Sequence, residues 1–345
     1  MKWLSENYKW LFDGVAGAAA ISVIGYVIHH FLGSQGPMAA KKRMIEGTAE
    51  ELEKNLMPRV EIAGIGDETN IEKVNEVVFE LYKEALSVVK LAANLLDDAA
   101  NAKGGWSRNQ AICAGLMIRI SKFMLVVTQL SAKGDRADVV FALDRSILES
   151  AVNLEFLLTK NDDAVFDQFV KLSLGPEREL YDIVQANIAE RGGELLPIEK
   201  RMLDSINGVC QACGVKIEEV NQKYGDWGGG VRQRLKALNK EEQYVAVQRL
   251  PSHAVHGTWV DLCMRHLKHD VKADVFLPDN SFTNVDARLL GPIATFVLEP
   301  TRLYLQRFFS NIPETAKLLE RIEDVQNRIL EADAAHENLM ARRAP

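Results

Sequence analysis

Apolar residues recur at intervals of three and four over nearly the whole chain, a period that restricts it to helices packed on helices. The clearest run follows Thr69-x-x-Glu72, a capping-box pattern, and carries Val74, Val77, Val78, Leu81, Leu86 and Val89. Gly104-Gly105 breaks it. Ser107 to Leu130 repeats the pattern with Ile112, Leu116, Ile120, Phe123 and Val127 on one stripe. Gly134 stops that helix, and Asp135 caps the next, which runs from about Arg136 to Leu158. Another continues from Asn161 to about Arg191, interrupted near Gly175-Pro176, and Pro197 opens one that reaches Cys210 and Cys213. Helical text returns from Lys240 to Lys268 and from Asn284 to Phe309, the latter bent at Pro292 and Pro300. Between them, Ala273 to Leu277 reads as a short extended piece before a turn at Pro278-Asp279-Asn280. No sheet is convincing, so the fold class is all-α: a helical bundle flanked by an N-terminal transmembrane helix and a C-terminal amphipathic helix.

The transmembrane helix is the run Gly14 to Leu32, bounded by Asp13 and Gly33. Its length matches the roughly 20 residues a helix needs to span a hydrocarbon core. Trp3, Tyr8, Trp10 and Phe12 cluster before it, where interfacial aromatic belts sit. A cleaved signal peptide fits less well, because Glu6 and Asp13 interrupt the basic start and no A-x-A pattern closes the run. A buried soluble helix is the third alternative, given the many Gly and Ala. Lys41, Lys42 and Arg43 outweigh Lys2 and Lys9, which favours a single pass through the inner (cell) membrane with the C-terminal body cytoplasmic. Four cysteines in 345 residues, all in helix-like text, agree with a reducing compartment.

These signals divide the chain into a tail at 1–13, the membrane helix at 14–32 and a juxtamembrane linker at 33–70. A helical domain at 71–310 and a terminal helix at 311–345 follow. In the linker, Thr48-x-x-Glu51 starts a short charged helix that Pro58 ends. In the terminal helix, Leu318, Ile322, Val325, Ile329, Ala332 and Leu339 form a short heptad seam. That seam serves either self-association or packing on the chain's own core. A net charge of −7 excludes broad, nonspecific nucleic-acid binding, since no basic excess neutralises phosphates, but leaves a local basic site open.

Two helices carry polar residues where an apolar face belongs. In the first, Arg145, Glu149 and Asn153 stand four apart and share one face among Leu143, Ile147, Leu148, Val152, Leu154 and Leu157. Charges buried there must be paired or hydrogen-bonded; the alternative is a solvated stripe with an ion pair worth a few tenths of a kcal/mol. In the second, Ser252 and His256 share a face, with Arg249 one turn earlier, and Pro251 places the helix start near Arg249 or Leu250. A histidine beside an arginine and a serine is suited to acid/base work next to a phosphate-holding cation. The same histidine would equally serve as a core residue bonded to the Glu149 stripe.

The Arg145-x-x-Leu148-Glu149 segment and the later Ser252-x-x-Val255-His256-Gly257 segment together resemble an uncharacterised bacterial helical family, domain-of-unknown-function family 5677. The likeness spans roughly residues 75–270 and implies one shared site joining the two helices, with no established activity. More distantly, Arg249-x6-His256 is similar to the loosest form of the signature of the HEPN helical ribonucleases, found in toxins and phage-defence systems. Those enzymes place a polar residue directly after the arginine, where this chain has Leu250 and Pro251. That resemblance implies metal-independent RNA cleavage, with arginine on the phosphate and histidine near the ribose hydroxyl.

Other chemistries find less support. Gly228-Gly229-Gly230 lacks the Gly-Lys-Ser/Thr ending of a phosphate loop and reads as a connector, so no cofactor is expected. Cys210-x-x-Cys213 would need His253 and His256, or Cys263, His266 and His269, to complete a zinc site across a long gap. Ser252 has no nucleophile-elbow glycines. The expected catalytic set is therefore His256, Arg249, Arg145, Glu149 and Ser252, with the membrane, a second copy through the C-terminal helix, and RNA as partners. The expected function is a membrane-anchored effector in anti-phage defence or stress, with ribonuclease activity; the alternative is a non-enzymatic interaction or sensor module.

Overall fold

Where each helix begins and ends follows from a few capping residues. The structure, a computed structural model, describes residues 56–95, 105–132, 137–220, 227–283, 285 and 287–343. The membrane run at 14–32, the Thr48 capping box and the Gly134–Asp135 boundary lie outside the described residues. Helix α1 spans Ile71–Asn94, and its cap is Asn70, not Thr69: the Asn70 side chain accepts from the Glu72 amide at 3.0 Å. Helix α2 is Arg108–Ser131 and α3 is Ala137–Lys160. Asn161, at φ +46°, ends α3, and Asp162 caps α4, Asp163–Ser173. Helix α5, Gly175–Glu190, starts where the Gly-Pro pair interrupts the earlier helix. Helix α6, Pro197–Cys213, closes in a Schellman turn: Gly214, at φ +68°, donates to Gln211 O, and Val215 donates to Cys210 O.

The single long helix expected over 240–268 is instead broken into short pieces. Helix α7, Gly230–Ala237, leads to a π-helical segment at Val245–Arg249. Helices α8, Leu250–His256, and α9, Trp259–Arg265, follow, separated by Gly257 at φ +56°. Leu250 N–H bonds Val245 O, five residues back, and Pro251 has no N–H to offer Val247, so an α register cannot continue through this turn.

The expectation of no sheet also needs correction. Strands β1, Leu267–Asp270, and β2, Val275–Pro278, pair antiparallel, with Leu267 opposite Pro278 and Asp270 opposite Val275. The Asp270 carboxylate fastens the turn by accepting from the Lys272 and Ala273 amides. The rest is helical: α10 is Ala287–Phe308 and α11 is Pro313–Arg343.

Helices α1 and α10 sit at the centre; α2 and α3 pack on one side and α11 on the other. Val74, Leu81, Val89, Met117, Ile147, Leu154, Val297 and Leu298 are fully enclosed there, and that apolar burial is the main favourable term in the fold. The heptad seam of α11 belongs to this core: Leu318, Ile322, Val325, Ile329, Ala332 and Leu339 are all buried. A charged clamp fixes α11 to α1. Glu84, fully buried, takes Arg328 through both guanidinium nitrogens (2.7 and 2.6 Å), Arg321 at 2.6 Å and the Val60 amide at 2.9 Å. Paired with two guanidinium groups and bonded by the Val60 amide, such a buried carboxylate is tolerated.

Helix α2 is the one helix among the described residues long and apolar enough to cross a bilayer. It presents Cys113, Ala114, Met117, Ile120, Met124 and Val127 to the core, a stripe shifted from the expected one. A smaller cluster under α4–α6 gathers Val170, Leu174, Ile206, Cys210 and Val220.

Candidate functional site

Successive turns of α3 aim two pairs of residues in different directions. Arg145 and Glu149 stand one turn apart and face α8, while Asp144 and Leu148, also one turn apart, line a cleft beside it.

On the α8 side, Arg145 Nη1 meets His256 Nε2 at 3.1 Å. Arginine has no acceptor, so Nε2 accepts and the ring proton sits on Nδ1. Glu149 Oε2 lies 4.0 Å from Arg145 Nε, with the two side chains 39% and 20% exposed. The stripe is thus half-buried, not sealed, although Asn153 Oδ1 further along it is buried without a partner. Ser252 turns away: its hydroxyl donates to the Gln248 carbonyl of its own helix. The neighbouring His253 is engaged with Thr258 Oγ1 at 2.6 Å. Arg249 ends the π segment, exposed, and no hydrogen bond joins it to His256. Of the five expected residues, then, the fold joins Arg145 to His256, attaches Glu149 to Arg145, and leaves Ser252 and Arg249 apart from them. Val255, beside His256 in α8, is exposed, and so are Trp259 at the start of α9 and Phe276 in β2, which pack edge-to-face at 5.3 Å.

The cleft is what the sequence reading missed. It holds about 650 Å³ and is bounded by α3, the π segment and start of α8, α10 and α11. Leu148, Val247, Pro251, Ile293 and Phe296 make it largely apolar, and Leu250 and Leu330, both more than half exposed, flank it. Asp144 stands in this setting 2% exposed, with Oδ1 buried and unpartnered. Burial alone pushes its carboxyl up to about 8. From α11, Asp333 also lines the cleft with its carboxyl raised, chiefly by burial. Its Oδ1 lies so near α10 that a Cβ on Gly291 would meet it at 2.8 Å.

Two other charges at the cleft are matched. Lys240 Nζ donates to Glu155 Oε1 at 2.6 Å, and Glu299 is held by Arg302. A signal for Asp144 was present in the sequence: it falls in phase with Ala137, Val140, Ile147 and Ala151, all buried on the core side of α3. A desolvated, unpartnered carboxyl in a concave apolar site makes the cleft a candidate binding site.

Among the described residues no group of three or more His, Cys, Asp or Glu is arranged to hold a metal ion. The Cys210–Cys213 pair lies on α6 and the histidines on α8. Burial raises the Cys210 and Cys213 thiols above their ordinary range.

Residues 110–274 match a family of unknown function (DUF5677). That span covers just under half of the chain and contains both motif segments, from Arg145 to Gly257; it ends before α10 and α11. No curated protein and no solved structure matches the chain.

Proposed function

We propose that this chain is a small-molecule-binding helical module, a sensor whose ligand occupies the cleft between α3, α8, α10 and α11. The observation that carries the reading is Asp144: a carboxyl nine-tenths buried, with an unpartnered oxygen, lining an apolar cleft of about 650 Å³. Leaving a buried polar atom unpaired costs about 1–3 kcal/mol, which a ligand bearing a matching group recovers. The volume suits a compact organic ligand. The π segment walling the cleft supports the same reading, since such segments recur at functional sites.

A fragment screen by ligand-observed NMR, on the wild type and on Ala246→Trp, tests it. Ala246 lines the cleft and is exposed, so the indole narrows the space without entering the core. Fragments that bind the wild type and are lost from the variant support the reading. No binders, or equal binding to both, overturns it.

A second reading, metal-independent RNA cleavage, is favoured by the Arg145–His256 contact and by the open surface around it. In that reading Arg145 or Arg249 holds a phosphate, His256 moves the proton and Glu149 orients the arginine, while Trp259 and Phe276 offer faces for bases to stack on. Attachment to a membrane through residues 14–32 and self-association belong to the same proposal for the whole chain. Total RNA integrity in cells expressing wild type, His256→Ala and Arg145→Ala at matched levels tests the cleavage reading. Breakdown with wild type alone supports it, and intact RNA in all three counts against it.

A further inference from the structure

The two buried polar atoms left without partners at the cleft walls are both oxygens able to accept a hydrogen bond from a ligand. Asp144 Oδ1 and Gln243 Oε1 are buried without partners, and Asp333, which His336 attracts, adds a second carboxyl. The donors at the same walls are already used. Lys240 is spent on Glu155 and lies 5.5 Å from the Phe296 ring centroid, and Gln326 Nε2 donates to Thr295 O at 3.5 Å. We infer that the ligand is a lipophilic amine, bound as its ammonium ion by the Asp144 carboxylate with its hydrocarbon body on Leu148, Val247, Ile293 and Phe296. This rests on the cleft being a ligand site, as proposed above.

Three alternatives fit less well. A carboxylate or phosphate ligand would meet Asp333 and Glu299, and its negative charge would find one cation, Lys240, already paired to Glu155. A neutral alcohol brings one donor and adds an acceptor to a site rich in them. A polyamine would leave the apolar walls without a partner. An ammonium ion brings three donors and no acceptor, and a primary alkyl or arylalkyl amine carries the apolar area the walls require.

Binding exchanges one proton with solvent. The empty cleft holds Asp144 as the neutral acid at pH 7. As the ammonium ion arrives, the Asp144 O–H bond breaks, its proton leaves to water, and the carboxylate and ammonium pair; no electrons are transferred. Tyr82 from α1 interacts with Asp144, and the other charged groups lining the cleft are Lys240, Glu299 and, from α11, Asp333. Because one proton is released, affinity rises by up to about tenfold per pH unit as pH climbs toward 8.

The test is calorimetric titration of the purified full-length protein with n-octylamine, n-octanol and octanoate, each below its aggregation concentration, at pH 6, 7 and 8. The expected result is octylamine at least tenfold tighter than either analogue at pH 7, tightening toward pH 8. Asp144→Asn is expected to abolish that preference while leaving octanol within about twofold of wild type. Octanol or octanoate binding as tightly as the amine overturns the amine assignment and leaves the cleft reading standing. Failure of all three to bind overturns the cleft reading itself. Should Asp144→Asn fail to fold, the wild-type ranking and its pH trend decide alone, with Asp333→Asn as the second variant, expected to weaken octylamine more than octanol.

Discussion

Arg145 donates to His256 across 3.1 Å, although 111 positions separate them in the chain. The contact ties α3 to α8 above the cleft that Asp144, one residue before Arg145, enters from α3. One turn of helix therefore serves a surface pair and an interior carboxyl at once.

The surface pair is worth little to stability. Half-exposed hydrogen-bonded pairs contribute about 1 kcal/mol or less. Arg145→Ala and His256→Ala should each shift the urea midpoint only slightly and retain the full unfolding amplitude. A loss of more than about 2 kcal/mol would make the pair a structural clasp.

Asp144 gives stability a pH dependence of predictable sign. Its carboxyl ionises near 3.8 in the unfolded chain and near 8 in the folded one. Between those values the folded state holds a proton that the unfolded state has released, so the protein loses stability as pH rises, by at most about 1.4 kcal/mol per unit. The difference in unfolding free energy between Asp144→Asn and wild type should therefore grow in the variant's favour from about pH 5 to pH 8. A difference constant with pH would mean that Asp144 is ionised when folded.

Glu84 has the opposite character, a buried carboxylate with every partner in place. Glu84→Ala takes the shared carboxylate from Arg321 and Arg328, leaving Arg328 buried with only Asp324 to balance its charge. It should cost about 3–5 kcal/mol in chemical denaturation, against about 1 kcal/mol or less for the exposed Arg59–Asp324 pair nearby.

Gly257 separates α8 from α9 at φ +56°, with open space where a side chain would project. Only the backbone opposes substitution there. Gly257→Ala should cost about 1 kcal/mol and Gly257→Asn less, since asparagine tolerates the left-handed region. Equal stability in all three proteins would show that the α8–α9 junction has a different backbone.

Long amphipathic helices were legible in the sequence because one strong period dominates each. The α1 stripe buries Val74, Val78, Leu81, Leu86 and Val89, with Val77 half-buried at its edge, and Leu318 to Leu339 in α11 bury every expected residue. Segment 240–268 was not, because its breaks are local and of mixed cause: the π segment answers Pro251, and the α8–α9 break rests on one glycine. The β-hairpin was half legible, through Ala273–Leu277. Its first strand was absorbed into helical text because Leu267–Asp270 has no alternation, and the pair is held by the Asp270 turn and the His269–Phe276 stack at 4.6 Å. At the candidate site, the meeting of the two motif segments was legible; the cleft was not. Its walls come from α3, α8, α10 and α11, and no local pattern announces that they converge.

The most direct test of the central claim is a crystal structure of the protein with the tightest-binding fragment or amine at saturating concentration. That molecule is expected in the cleft, its polar group about 3 Å from the Asp144 carboxyl and its apolar part against Val247, Ile293 and Phe296. A ligand bound elsewhere, with the cleft empty and Asp144 still unpartnered, would contradict it.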